Sequence, residues 1–130
     1  MMRESKFRVW DDNAHELVYE VGLTPEGIPY SIPDHAEASD QFDYYPSCHK
    51  MQFTGLRDSK GVDIYEGDIV RGAPRYQRED EIILLEKKVS FLKGCYMFGS
   101  WNAHEYFNKH QHIEVVGNIY EDPDLWEEAQ

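Results

Sequence analysis

The chain is 130 residues long, with 41% hydrophobic and 14% aromatic residues and a formal net charge of −12. A chain of this size can bury a core without disulfides or metal, and its aromatic weight argues against intrinsic disorder. No run of about 18 apolar residues occurs, which excludes a spanning helix. So acidic a surface also excludes general affinity for a phosphate backbone through counterion release.

The opening "MMRESKFRVW" has no apolar segment behind its basic residues, so a secretory signal is not expected. Within it, "KFRVW" alternates, with Phe7 and Val9 on one side and Lys6 and Arg8 on the other, the period of a half-buried strand. Asp11, Asp12 and Asn13 are turn residues, and "ELVYEVG" reads as the return strand of a hairpin. Over residues 23–47 the periodicity dissolves among four prolines and scattered acids. This predicts a long acidic surface segment or insertion, with a short helical turn near residues 35–39.

The stretch "MQFTGLRDSKGVDIYEGDIV", residues 51–70, follows with three glycines. Its pattern predicts strand, turn, strand, turn, strand. Gly55, Gly61 and Gly67 let the chain reverse, and Asp58 and Asp68 are placed to accept bonds from turn amides. Met51, Phe53, Leu56, Ile64 and Ile69 are the expected core side chains. "APRYQRED" is a polar connection, "EIILLEKKVSFL" a strand, and "CYMFGSW" its partner across Lys93 and Gly94. Residues 102–112 fit either a short helix or an irregular loop. "IEVVGNIY" is a final strand, and "EDPDLWEEAQ" starts a helix, with Asp122 as cap and Pro123 at its first position. The sum is one mainly β domain over residues 1–130, a small and mostly antiparallel barrel or curled sheet with a short C-terminal helix.

Charge is uneven along the chain. From Asp11 to Asp43 there are nine acidic residues and no Lys or Arg. From Lys50 to Lys93 there are nine basic residues against eight acidic ones. The acidic segment reads either as a solvated, solubilising surface or as a face for a basic partner.

The usual chemical signatures are weak. Gly55 and Gly61 are not followed by Lys-Ser/Thr, and no Gly-x-Gly-x-x-Gly occurs, so a phosphate cradle is not expected. Asp63, Glu66 and Asp68 could pair for acid–base work, but acids at strand–turn junctions ordinarily bond backbone amides. His104, His110 and His112 cluster, yet no metal-ligand spacing accompanies them. His110 and His112 would share a face of a strand. Cys48 beside His49 suggests a nucleophile only superficially, because catalytic partners meet in space rather than in sequence. Cys48 and Cys95 carry no framework spacing, so reduced thiols in a cytoplasmic setting are expected. Arg71, Arg75, Arg78, Lys87 and Lys88 are interleaved with Tyr76, Phe91 and Tyr96, a mix used by small barrels that bind single-stranded nucleic acid. Glu79, Asp80, Glu81 and Glu86 lie among them and dilute that signal.

Three blocks, "KFRVW", "MQFTGLRDSKGVDIYEGDIV" and "EVVGNIYEDPDLW", taken in order, resemble the YopX family of phage and prophage proteins. The resemblance spans the chain apart from residues 23–47 and the region around residues 102–111. It implies a small SH3-like or YopX-like β-barrel, bacterial cytoplasmic residence and members that assemble into homo-oligomers. It brings no established activity, cofactor or catalytic residue, so no site residues carry over. The segment 23–47 is longer than the resemblance leads one to expect, and the histidines near His110 are not a family feature. The function expected from the whole reading is a non-enzymatic module that binds a protein partner. No catalytic, metal or cofactor residue is assigned. The alternatives are nucleic-acid binding through the five basic residues and, more remotely, a small hydrolase or metal enzyme built on the histidines and carboxylates.

Overall fold

The computed structural model describes residues 6–76 and 83–124. Its contacts divide the chain at Phe53 and Thr54 into two compact units.

The first unit holds β1 (Phe7–Asp11), β2 (Glu16–Leu23), β3 (Pro29–Ser31), β4 (Asp43–Tyr44) and the start of β5 (His49–Arg57), in the order β4-β3-β2-β1-β5. β1 and β2 form the expected hairpin, with Asp11 opposite Glu16 and Val9 opposite Val18. The turn closes because Asp11 Oδ1 accepts from the amides of Asn13 (3.0 Å) and Ala14 (3.3 Å), an Asx turn. Val9, Trp10, Val21, Met51 and Phe53 are buried. Arg8 departs from the alternation, for it is only 3% exposed rather than on an open polar face. Its guanidinium lies 5.8 Å from the centre of the Tyr19 ring and donates to the Tyr19 hydroxyl at 3.3 Å. A long side chain with a planar cation can be buried this way against an aromatic face.

Residues 23–47 hold more structure than their composition suggests. A turn at Thr24–Ile28 is closed by Thr24, whose Oγ1 accepts from the Ile28 amide at 3.1 Å. β3 then pairs with β2, placing Tyr30 opposite Gly22, and with β4, placing Tyr30 opposite Tyr44. A Cβ on Gly22 would meet the Tyr30 ring at 2.6 Å, so the glycine makes room for that ring. The one helical turn is a 3-10 turn at Ser39–Gln41, a little beyond the expected place.

The second unit begins with the end of β5. It continues through β6 (Asp63–Tyr65), β7 (Asp68–Pro74), β8 (Leu85–Leu92), β9 (Cys95–Phe98), β10 (Trp101–Asn102), α1 (Ala103–Lys109) and β11 (His110–Asn118). Five strands order as β10-β9-β8-β7-β11, all antiparallel. Ile64, Val70, Val89, Phe98, Tyr106 and Ile113 form the buried cluster, with Leu56 packed against it. Residues 103–109 form a helix, which Asn102 caps. Its Oδ1 accepts from the Glu105 amide at 2.9 Å, and its Nδ2 donates back to the Glu105 carboxylate at 3.0 Å. The cap satisfies one of the first-turn amides, and the return bond holds the Asn102 side chain in place.

The 51–70 block folds as strand, turn, strand, turn, strand, and Gly55, Gly61 and Gly67 all have φ between 83° and 86°. Asp68 Oδ2 accepts from the Tyr65 amide at 2.8 Å across the second turn. β8 starts at Leu85 rather than earlier, and Ile83 and Leu84 are exposed. Pro123 and Asp124 are helical, Asp122 Oδ2 accepts from the Asn118 amide at 3.1 Å, and the rest of that expected helix lies outside the described residues. Among the described residues the chain is thus mainly β, with two antiparallel sheets and the short helix α1. Their strand orders are open among the described residues, so no closed ring of the expected barrel kind is formed by these ladders.

Candidate interaction cleft

The acidic run lies in the first unit. Asp12, Glu16, Glu20, Glu26, Asp34, Glu37, Asp40 and Asp43 are exposed, and Asp11 is half-buried. A cleft of about 520 Å³ opens between the Asp11–Asn13 turn and residues 42–48. Its walls carry two carboxylates, Asp11 and Asp43, and three rings, Phe42, Tyr44 and Tyr45. The rings are fixed by the fold. Phe42 stacks on Tyr30 with centroids 5.4 Å apart and planes 11° apart, and Tyr44 tilts against both. The Tyr44 hydroxyl donates to the Ser39 carbonyl at 2.9 Å, and the Tyr45 hydroxyl bonds Ser31 Oγ at 3.0 Å.

Cys48 also lines this cleft. Burial pushes its thiol pKa up and the Asp11 charge adds to the effect, while the Asp12 amide offsets part of it. A raised pKa keeps the thiol protonated and poorly nucleophilic. His49 Nε2 sits 3.2 Å from Asp12 Oδ2. The Cys–His neighbours in sequence therefore stand in an acidic setting that disfavours a thiolate.

The other clusters serve the fold. Asp58, buried at 7% exposure, ties the turn of residues 58–62 to β11 in the second unit. Its Oδ1 accepts from the amides of Lys60 and Val62, and its Oδ2 from that of Val115, each at 2.9 Å. Burial pushes its pKa up, but these amides and the Lys60 charge outweigh that and hold it below the usual carboxylate value. Asp63 pairs with Arg57 at 2.9 Å. Asn118 closes the next turn by accepting from the amides of Tyr120 and Glu121. Asp58, Asp68 and Asn118 thus account for the acid–glycine texture of the sequence blocks.

The histidines separate. His110 is 4% exposed and stacks on Tyr106 at 4.3 Å, with Nδ1 2.9 Å from the Tyr106 carbonyl oxygen. His104 is exposed beside Asn108, and His112 is exposed. A register shift between Gln111 and Glu114 disturbs the strict alternation that would put His110 and His112 on one face. No group of three His, Cys, Asp or Glu able to hold a metal exists among the described residues.

The basic residues are also divided. Arg71 bonds Glu86 at 2.9 Å across β7 and β8. Lys88 shares that face by alternation. Lys87 lies on the other face with Val89, opposite Val70, and its stem runs along Gly99, where a Cβ would lie 2.7 Å from Lys87 Cδ. Arg75 donates to the Phe107 carbonyl at 3.2 Å. Arg78 lies outside the described residues.

The cleft residues escaped sequence reasoning because residues 42–48 have no periodicity. Their one legible signal was aromatic content inside a run without Lys or Arg.

Two antiparallel β-sheets with a short capped helix define the class. The YopX protein family matches residues 6–127, so this chain belongs to the YopX family. Among solved structures it is similar to protein EF1440 from Enterococcus faecalis, with a TM-score of 0.63 and 21% identity, covering 95% of this chain and 99% of that one. At that identity the likeness speaks to fold alone. No curated protein matches the chain. No helix among the described residues is long and apolar enough to cross a membrane.

Proposed function

We propose that the chain is a non-enzymatic interaction module of a phage or prophage, acting in the bacterial cytoplasm on a basic protein partner of host or phage origin. One observation carries this reading. Nine acidic residues from Asp11 to Asp43 come with no Lys or Arg, and eight of them are exposed on the unit that holds the aromatic cleft. Such a face steers cationic partners and repels other acidic surfaces. Of the acids and histidines weighed for catalysis, Asp68 accepts from a turn amide and His110 packs against Tyr106.

A curled sheet of YopX type is the proposed form, in keeping with the register shifts that bend β2 and β11. Self-association belongs to the same reading, since Phe91 and Leu92 expose 54% and 58% of their surface in the second unit. The separated basic residues do not favour the nucleic-acid alternative.

A pull-down from host lysate at low salt, with a charge-matched acidic protein as control, tests the reading. A partner that elutes as salt rises is expected. Enrichment of nothing above the control ends it.

A further inference from the structure

We infer that the cleft between the Asp11–Asn13 turn and residues 42–48 is an arginine-side-chain pocket, which reads a guanidinium on the partner's surface. This rests on the interaction reading above and names the group recognised. Three observations converge on it.

The first is charge. Asp11 and Asp43 both line the cleft, and no Lys or Arg is among its lining residues. The chain supplies no cation from its own sequence between Asp11 and Asp43. Lys50, just beyond the cleft segment, is engaged elsewhere and donates to the Gly27 carbonyl at 2.9 Å. Among the described residues no Lys or Arg stands against the two carboxylates of the pocket, so a cation from a partner suits it.

The second is the state of the rings. The Tyr44 and Tyr45 hydroxyls are already bonded, to the Ser39 carbonyl and to Ser31 Oγ. Phe42 is held against Tyr30. What these side chains offer a ligand is their flat apolar surface, fixed before binding, so little ordering cost remains. A planar, weakly hydrated guanidinium suits flat rings flanked by carboxylates better than a compact ammonium does.

The third is size. About 520 Å³ is ample for one side chain with its backbone, and Asp43, Tyr44, Pro46 and Ser47 on its wall are exposed to solvent. A partner can therefore present the group from a loop or strand without threading it.

The test uses the full-length chain, labelled with nitrogen-15, and three acetylated, amidated dipeptides: Arg-Arg, Lys-Lys and citrulline-citrulline. Citrulline keeps the shape of arginine and removes the charge. Titration followed by amide chemical shifts should move residues 11–13 and 42–48 with Arg-Arg, less with Lys-Lys and not with citrulline. Asp43→Asn is the decisive variant, because Asp43 is exposed on a two-residue strand. It should weaken Arg-Arg binding about fivefold, the worth of one partly solvated charge pair. Asp11→Asn should act in the same direction, although Asp11 also closes its turn. Shifts spread over all the acidic residues, with Asp43→Asn binding as the parent does, overturn the pocket. So does an absence of shifts at residues 42–48. The two readings fail separately. Lysate capture that survives Asp43→Asn and Asp11→Asn leaves the interaction module standing without the pocket. A parent chain that binds Arg-Arg at residues 42–48 yet captures nothing leaves the pocket without the proposed partner.

Discussion

Gly72 on β7 lies directly beneath the Tyr106 hydroxyl of α1, so a Cβ there would stand 2.6 Å from the phenolic oxygen and 3.5 Å from Cζ. Tyr106 is fully buried, and its hydroxyl has no hydrogen-bond partner among the described residues. Gly72 has no left-handed backbone, so the steric contact rather than φ demands glycine. Gly72→Ala should destabilise the chain by about 1–3 kcal/mol through overpacking. Tyr106→Phe removes an unsatisfied buried polar group and should be neutral or stabilising by up to about 1 kcal/mol. The double variant should recover most of the Gly72→Ala loss, because the oxygen that collides is gone. Urea denaturation of the four proteins gives the coupling energy, and additive effects would refute the contact.

Burial also pushes the Tyr106 pKa up to about 12. The unfolded chain releases this proton near the ordinary tyrosine value of about 10. Between those values the unfolded state binds fewer protons than the folded state, so stability falls as pH rises. Tyr106→Phe should therefore show a shallower alkaline loss of stability than the parent, measured by urea midpoints across that range. Parallel curves would count against the assignment.

Asp58 has the opposite sign. Its folded pKa is lowered, so its contribution is present above the ordinary carboxylate value and is lost as pH falls through the depressed one. Asp58→Asn replaces an acceptor with a donor facing one of three amides and should cost about 2–3 kcal/mol at neutral pH. Its acid limb should be flatter than that of the parent, since the titrating group is gone. Circular dichroism against pH for the two chains checks this, and identical acid limbs would remove Asp58 from the account.

How much of this was legible beforehand depends on how local the physics was. The 51–70 block was readable because alternating Met51 and Phe53, the turn glycines and the amide-bonding Asp58 and Asp68 act within a few residues. Arg8 was misplaced, because its burial depends on Tyr19, eleven residues away. Helix α1 is not told from a loop by its pattern, because its start depends on the reciprocal bonds of Asn102 and Glu105. His110 and His112 could not be separated in sequence, because the register shift depends on pairing with β7. The cleft was the least legible feature. Asp11 comes from one hairpin turn and Phe42 from a segment some thirty residues on, and only the β2-β3-β4 pairing joins them.

Glu20 is a different kind of test, for it has φ of 57° in the middle of β2. There the register passes from Phe7 opposite Val21 to Val9 opposite Val18, so two residues of β2 face one of β1. That is a bulge, with its left-handed position filled by a residue that has a Cβ. Glu20→Gly should stabilise by up to about 1 kcal/mol, and Glu20→Val should destabilise, because a β-branched side chain fits left-handed backbone worst. Both variants remove the same charge, so charge does not enter their difference. Thermal denaturation placing the valine variant at or above the glycine variant would contradict the bulge.

The two thiols should part company in reactivity. Both are free, Cys95 exposed and Cys48 half-buried. Thiolate is the reacting form, and its fraction at a given pH falls as the pKa rises. Cys48 is pushed up by burial and by Asp11, and it has less access besides. Iodoacetamide at mildly alkaline pH, followed by peptide mass spectrometry, should label Cys95 first and Cys48 at a slower rate. Asp11→Asn removes one cause and should quicken Cys48 while leaving Cys95 unchanged. If Cys48 reacts as fast as Cys95 in the parent, or ignores Asp11→Asn, then the carboxylate does not set the electrostatics of the cleft wall where Cys48 sits.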